Sequence, residues 1–580
     1  MSRGHLLPAL LFPYEYYMSG KHPLLTGAVA LLMCCAGCRD IGHASRPHSV
    51  TGATLASCAQ LPEQFTASNT VLMNARQVPA GELQVAGQPV GAHCVVTGKM
   101  HERISAVDGQ TYAIGFEFRL PVNWNGRFLF QANGGLAGVL VPATGEISGG
   151  GALTHALAQG FAVISSDMGH SSQQNPLFGL DPQARLDYGH AAVAKLTPMA
   201  KALIRTAYGK EPDYSYLGGC SNGGRVAMVA AARYADLYDG FLAGDPGMNL
   251  PQAAAAQLYG AQQYARVATS DDLSTAFTLA ERQWLANRIL DKCDVLDGAR
   301  DGMVSASRQC QQVFDLHRDA PRCSAERNGA CLSDAQQTML ANVFTGARNS
   351  AGSAVYAAFP FDPGIIGSDW ANWKFVASIS NRDPIAVAFI FSSPPAATTV
   401  LQNPRAFALG YDMDRDAPGI FRSAAPYNDS AMSFMTPPDA TRLHSLQQQG
   451  GKLLVFHGTA DPVFSATDTA RWYESLSATH GRSTDDMARY FEVPGMNHCR
   501  GGPATDQFDM LTALVEWVEN DHAPERIIAT ARGAGNAGGV NAEVPEDWGA
   551  ARSRPLCAYP KVASYNGSGD LNDARNFACR

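Results

Sequence analysis

Residues Leu217-Gly218-Gly219-Cys220-Ser221-Asn222-Gly223-Gly224-Arg225 place a serine inside G-x-S-x-G, with the apolar run Tyr214–Gly218 before it and Arg225–Tyr234, of helical composition, after it. A serine on a tight strand-to-helix turn of small residues is a nucleophile elbow, because the turn leaves its hydroxyl exposed above the end of a sheet. The pattern alone recurs by chance. Its flanks give it weight here, and they predict an α/β-hydrolase fold. Cys220 raises a chemical question, since a free thiol beside a nucleophile is a competing reactive group.

Other apolar runs ending in turn residues extend the sheet outward from the elbow. Arg127–Gln131 leads into Asn133-Gly134-Gly135, Phe161–Ser165 into Ser166-Asp167, and Phe241–Ala243 into Gly244-Asp245-Pro246-Gly247. Much later, Lys452–His457 meets Gly458-Thr459-Ala460-Asp461, and Arg489–Val493 meets Pro494-Gly495-Met496-Asn497-His498. Phe508–Glu519 reads as an amphipathic helix. Strands alternating with helices imply a mostly parallel sheet covered on both faces. Between residues 250 and 445 the alternation stops, so the chain is expected to divide into hydrolase-fold parts at 41–249 and 446–580 with an inserted lid at 250–445.

A serine needs a base and a group to orient it, and in this fold the order along the chain is serine, acid, histidine, each after a later strand. Asp461 and His498 stand at those places behind Ser221. Taken singly, Asp461 is an ordinary turn residue before Pro462 and His498 an ordinary surface histidine. Their shared order and setting make them a triad. His498 is followed by Cys499 as Ser221 is preceded by Cys220, so a histidine that reaches the serine brings the two sulfurs together. A disulfide there would remove the competing thiol and fasten the base to the nucleophile. The amides of Asn222, next to the nucleophile, and Gly134, on the accessible early loop, are the expected oxyanion donors.

Composition bounds the rest. Lys+Arg 44 against Asp+Glu 52 leaves a net charge of −8 in 580 residues, with no basic patch of the kind nucleic acids need. The stretch Lys21–Cys38 is basic, then apolar, then small, and reads as a secretory signal over residues 1–40 that is too short to count as a transmembrane span, with Met18 as a second start. Cleavage near residues 36–45 and lipidation of Cys38 are both open. The protein is expected outside the cytoplasm: periplasmic, anchored in the outer membrane, or secreted. Of 13 Cys, three (Cys34, Cys35, Cys38) lie in this leader and ten beyond it; the even number implies disulfides, and no C-x-x-C pair among the ten suggests zinc. Cys293–Gly302, CDVLDGARDG, spaces Asp294, Asp297 and Asp301 around a glycine. That spacing suits either a calcium ion or a plain surface turn.

The Cys-Ser and His-Cys pairs together resemble the tannase and feruloyl esterase family, and the likeness runs from about Cys58 to Cys579. The resemblance implies an exported serine esterase acting on a small aromatic ester, with a terephthalate monoester first and feruloyl or galloyl esters as alternatives. A binding lipoprotein without turnover is the reading that a complete triad speaks against. The resemblance further implies the pairs Cys58–Cys94, Cys220–Cys499, Cys293–Cys310, Cys323–Cys331 and Cys557–Cys579. It implies one structural calcium on Asp294, Asp297, the Ala299 carbonyl, Asp301 and the Met303 carbonyl, and an acyl pocket walled by Phe464, Leu250 and Trp373. A family member that takes a free substrate carboxylate holds it with a lid arginine. Here Asp383–Phe389, just before Phe391-Ser392, contains none, which leaves Arg382 and Arg405 for that place.

Overall fold

The computed structural model describes residues 50–147, 153–549 and 552–580. The leader over residues 1–40, the start at Met18 and the lipid anchor at Cys38 lie outside the described residues.

Nine strands form the main sheet: β1 (Thr70–Val78), β2 (His93–Ile104), β3 (Thr111–Pro121), β4 (Arg127–Gln131), β5 (Ala162–Ser166), β6 (Tyr214–Cys220), β7 (Gly240–Gly244), β8 (Lys452–Gly458) and β9 (Ala488–Val493). Their order across the sheet is β9-β8-β7-β6-β4-β5-β3-β2-β1. The half from β5 to β9 is parallel, and β1, β2 and β3 pair antiparallel. Burial follows that division. All seven residues of β6 are buried, as a central parallel strand covered on both faces requires, whereas the inner part of β2 alternates between buried and half-buried. The order, with β4 and β5 exchanged and the nucleophile strand at the centre, is that of the α/β-hydrolase fold. Helices α1 (Ala192–Tyr208) and α2 (Asn222–Arg233) pack against it.

From 250 to 445 no described residue joins a strand, although isolated bridges occur. The segment carries α3 (Leu250–Ala265), α4 (Leu279–Cys293), α5 (Asp334–Thr345) and α6 (Asp383–Phe389), besides shorter turns. Its polar anchors converge on the loops after β8 and β9. Gln257 Nε2 donates to the carbonyls of Pro462 (2.8 Å) and Val463 (2.9 Å), Ser465 N donates to Tyr356 Oη (3.0 Å), and Asn497 Nδ2 donates to Gly364 O (3.0 Å). The sheet resumes with β8, then α7 (Ala466–His480), β9 and α8 (Met510–Asn520). The last helix begins two residues later than its apolar pattern implies. Asp509 accepts from Thr512 N as an N-cap, and that hydrogen bond sets the start.

All five disulfides implied by the resemblance are formed: Cys58–Cys94, Cys220–Cys499, Cys293–Cys310, Cys323–Cys331 and Cys557–Cys579. Such a set belongs to a chain that matures in an oxidising compartment, hence to an exported protein. No helix among the described residues is long and apolar enough to cross a membrane.

Candidate active site

The turn between β6 and α2 holds Ser221 at φ 65° and ψ −126°, a backbone conformation rare for a residue with a side chain. Its neighbours permit it. A Cβ on Gly219 would lie 2.3 Å from Ala132 O, and one on Gly223 would lie 2.2 Å from the same oxygen, so only glycine lets the elbow approach the end of β4 this closely. His498 Nε2 is 2.8 Å from Ser221 Oγ, and His498 Nδ1 is 2.8 Å from Asp461 Oδ2. The other oxygen of Asp461 accepts from the amides of Val463 (2.7 Å) and Phe464 (3.1 Å). Ser221, Asp461 and His498 are therefore brought together in hydrogen-bond sequence, with the acid held by its own loop.

The electrostatics of the trio favour its working state. Burial alone would lower the proton affinity of His498. The charge of Asp461 and its hydrogen bond, helped by Asp245 and Asp369, outweigh burial and shift the imidazole upward. Burial pushes the Asp461 carboxyl up, but the charge of His498 and hydrogen bonds from His457 and His498 hold it far below the usual carboxylate range. Asp461 is ionised wherever the protein is folded near neutrality.

The Cys220–Cys499 bridge answers the question raised by the sequence. It joins residues 279 apart in the chain, with Cα atoms 6.1 Å apart, and ties the residue before Ser221 to the residue after His498. Gly134 lies against the serine: a Cβ built on it would be 3.8 Å from Ser221 Cβ. Asn222 N is the first amide of α2, where a helix leaves its N–H groups unpaired. The Asn222 side chain is buried, donates to Asn133 O (3.4 Å) and accepts from Arg225 Nε (2.7 Å). Because Asn133 O and Gly134 N share one peptide plane, this contact helps aim the Gly134 amide.

Two rings close on the base. Trp373 and Phe464 meet the imidazole of His498 edge-on, with centroids 5.6 and 5.4 Å away. Leu250 is buried in the main core at the start of α3. The two arginines separate clearly. Arg382 stacks on Trp373, with Cζ 5.4 Å from the ring, and its ion-pair contact with Asp383 is 3.7 Å. Arg405 instead turns to Asp271, at 3.4 Å from its carboxylate and 2.9 Å from its carbonyl, away from the triad.

Several groups here escape sequence reading. His457, wholly buried, stands 3.2 Å from Asp461 Oδ2 and 2.8 Å from Thr469 Oγ1. Asp245, after β7, accepts from Gly458 N at 2.8 Å and lies 3.5 Å from Cys220 Sγ; burial raises its carboxyl to about 7, with His457 opposing. The only sequence signals were a histidine four residues before the acid and an Asp after the strand next to the nucleophile. Lys374 is buried behind the acid, 3.3 Å from Gln257 Oε1 and 3.8 Å from the Phe359 centroid, and burial lowers its amine to about 7.

The chain matches the family described as "Tannase and feruloyl esterase" over residues 94–580. It belongs to that family. Mono(2-hydroxyethyl) terephthalate hydrolase of Piscinibacter sakaiensis is 38% identical over 524 residues, 84% of each chain, and a probable feruloyl esterase B-2 of Neosartorya fischeri is 27% identical over 90% of this chain and 95% of its own. The fold is shared with feruloyl esterase B from Aspergillus oryzae, at TM-score 0.69 and 23% identity, covering 90% of this chain and 99% of that one. The protein is a serine esterase of the tannase and feruloyl esterase family.

The acidic loop of this esterase bears on a metal. Asp294 accepts from the amides of Asp301 and Gly302, both at 3.1 Å, and Asp301 accepts from Met303 N (3.1 Å) and pairs with Arg554. Asp297 accepts from Ala299 N (2.9 Å) through one oxygen, while its other oxygen is buried without a partner. Burial, with the charges of Asp301 and Asp294 adding to it, pushes the Asp297 carboxyl to about 7. A hard divalent cation would give the spare Asp297 oxygen its missing partner, whereas the Asp301 carboxylate is already held by Arg554.

Proposed function

We propose that the esterase hydrolyses monoesters of aromatic dicarboxylic acids, with mono(2-hydroxyethyl) terephthalate as the leading substrate and terephthalate and ethylene glycol as products. The observation that carries this is Arg382: a lid guanidinium stacked on Trp373, the ring that packs against His498, with only a 3.7 Å contact to an acid. A planar acyl group between Trp373 and Phe464 would present its far carboxylate to that cation. Methyl ferulate and methyl gallate carry no such carboxylate and gain nothing from it. The 38% identical relative named for the terephthalate monoester supports the same choice.

In the reaction, His498 Nε2 takes the Ser221 proton as Oγ attacks the ester carbonyl. The amides of Gly134 and Asn222 receive the oxyanion. His498 returns the proton to the departing alcohol and an acyl-enzyme remains. Water, deprotonated by His498, then attacks the acyl carbon, and the acid leaves as Ser221 regains its proton. Asp461 keeps Nε2 facing the serine and stabilises the imidazolium. Phe464, Trp373 and Leu250 wall the acyl ring. Asp294, Asp297, Asp301 and the carbonyls of Ala299 and Met303 would hold one calcium, whose contribution would be structural stiffening of residues 294–303.

Kinetics on the terephthalate monoester, methyl ferulate and methyl gallate test the assignment. The monoester is expected to have the highest kcat/KM, and Arg382→Ala to raise KM for it alone. A preference for ferulate or gallate, or an unaltered KM in Arg382→Ala, overturns it.

A further inference from the structure

Among the described residues, four arginines are deeply buried without an acid side chain at ion-pair distance, and they are satisfied unequally. Arg552 donates to Asn572 Oδ1 and to the carbonyl of Asp301. Arg225 donates to Asn222 Oδ1 and to the carbonyls of Gly189, Met435 and Tyr188. Arg282 donates to the carbonyls of Ile365, Ile366 and Gly367. Arg185, on the short helix Pro182–Leu186, has two acceptors, Ser392 O at 3.2 Å and Ser393 Oγ at 3.1 Å, although it is only 2% exposed. Its Nε, like that of Arg282, is buried without a partner. A guanidinium carries five N–H donors, so much of its capacity is unspent in a place where unmet donors are costly.

Arg185 also borders a cavity of about 200 Å³, whose walls include Leu186, Pro426, Tyr427 and Phe434. The Tyr427 and Phe434 rings lie 5.0 and 5.2 Å from its Cζ. Gln183 and Asn428 add neutral polar edges; Asp429 is the acidic member of the lining and stands exposed, where water screens it. We propose that this cavity binds a small planar aromatic carboxylate, its anionic end on Arg185 and its ring against Tyr427, Phe434 and Pro426. A buried cation without a counter-ion selects the charge, and aromatic and proline walls select a flat apolar body over a hydrated inorganic anion. Ser392 and Ser393, which Arg185 holds, follow α6, and Arg382 is the residue before that helix. The cavity is thus linked to the lid next to the active site while being separate from it, and the inference does not depend on which ester is cleaved.

The test is calorimetric titration of the full chain with benzoate and with sulfate, after Ser221 has been blocked by phenylmethylsulfonyl fluoride and the adduct verified by mass. One benzoate per chain is expected, and no sulfate. Arg185→Gln should weaken benzoate at least about tenfold, the loss of a charge-assisted contact. Leu186→Trp keeps the guanidinium but fills the cavity, and should abolish binding; it decides the matter if Arg185→Gln fails to fold. Absence of benzoate binding in the blocked parent, affinity unchanged in Leu186→Trp, or sulfate binding as tightly as benzoate overturns the inference.

Discussion

Replacing both Cys220 and Cys499 by serine removes a bridge that spans 279 residues and fixes the base over the nucleophile. The two roles can be separated, because stability and geometry respond differently. On the chain-entropy relation a closed loop of that length confines the unfolded chain by roughly 5–6 kcal/mol, whereas the Cys323–Cys331 bridge, at a separation of 8, contributes about 2.5 kcal/mol. The two bridges differ by about 3 kcal/mol. Losing Cys220–Cys499 should therefore lower the urea midpoint well beyond losing Cys323–Cys331. Under conditions where both variants stay folded, only the first should lose activity. A base displaced by about 1 Å costs on the order of a hundredfold in kcat, and His498 now sits 2.8 Å from the serine. The assay is kcat on an aromatic ester alongside urea unfolding of the two double variants and the parent. A Cys220→Ser/Cys499→Ser enzyme with parental kcat refutes the positioning role whatever its midpoint, and equal midpoints refute the loop-length reasoning.

Ser221→Ala should abolish turnover while the ester still binds, as read by active-site titration and equilibrium binding. His457→Phe removes a charge-assisted hydrogen bond to Asp461 worth roughly 1.5–3 kcal/mol, so kcat should fall on the order of 10- to 100-fold with KM unmoved; an unmoved kcat removes His457 from the machinery. His498 serves as base only when neutral, and its proton affinity is raised. The acid limb of kcat/KM should therefore lie above the ordinary histidine value of about 6.5, with activity lost as pH falls through it. A limb below that value contradicts the pairing with Asp461. Chelation should lower the melting temperature by a few degrees, because calcium at a hundredfold excess over its Kd contributes about 2.7 kcal/mol. Protons compete for the Asp297 carboxyl, raised to about 7, so the effect should be largest above pH 7, shrink below it, and disappear in Asp297→Asn.

What the sequence exposes about this esterase is whatever its chemistry confines to short stretches. The elbow at Ser221 is local: small residues, a strand before and a helix after must all lie within twenty residues. Asp461 and His498 are legible because each ends a strand, and strand ends can be counted without knowing where they meet. The bridge between Cys220 and Cys499 follows from adjacency on both sides of one required contact. The bracing of the acid has no such signature. His457 and Asp245 come from neighbouring strand ends and meet only because β7 and β8 pair in register, while Lys374 donates to the Gln257 side chain, which in turn donates to main-chain carbonyls of the acid loop that carry no mark in a sequence.

Residues 250–445 show the same boundary from its other side. Arg382 and Arg405 are equivalent in the sequence, both exposed-type residues near helix starts and both beside turn formers. Packing distinguishes them, for Arg405 is drawn to Asp271 at 3.4 Å and Arg382 to the face of Trp373. Trp373 is in turn placed by a turn whose neighbouring lysine is buried behind Asp461. On the proposed function, the cation over that ring discriminates among aromatic acids by charge. If specificity resides there, Arg382→Lys should fall between parent and Arg382→Ala in KM for the terephthalate monoester. It keeps the charge but loses the planar fork that can both stack on the indole and grip a carboxylate with two parallel N–H groups.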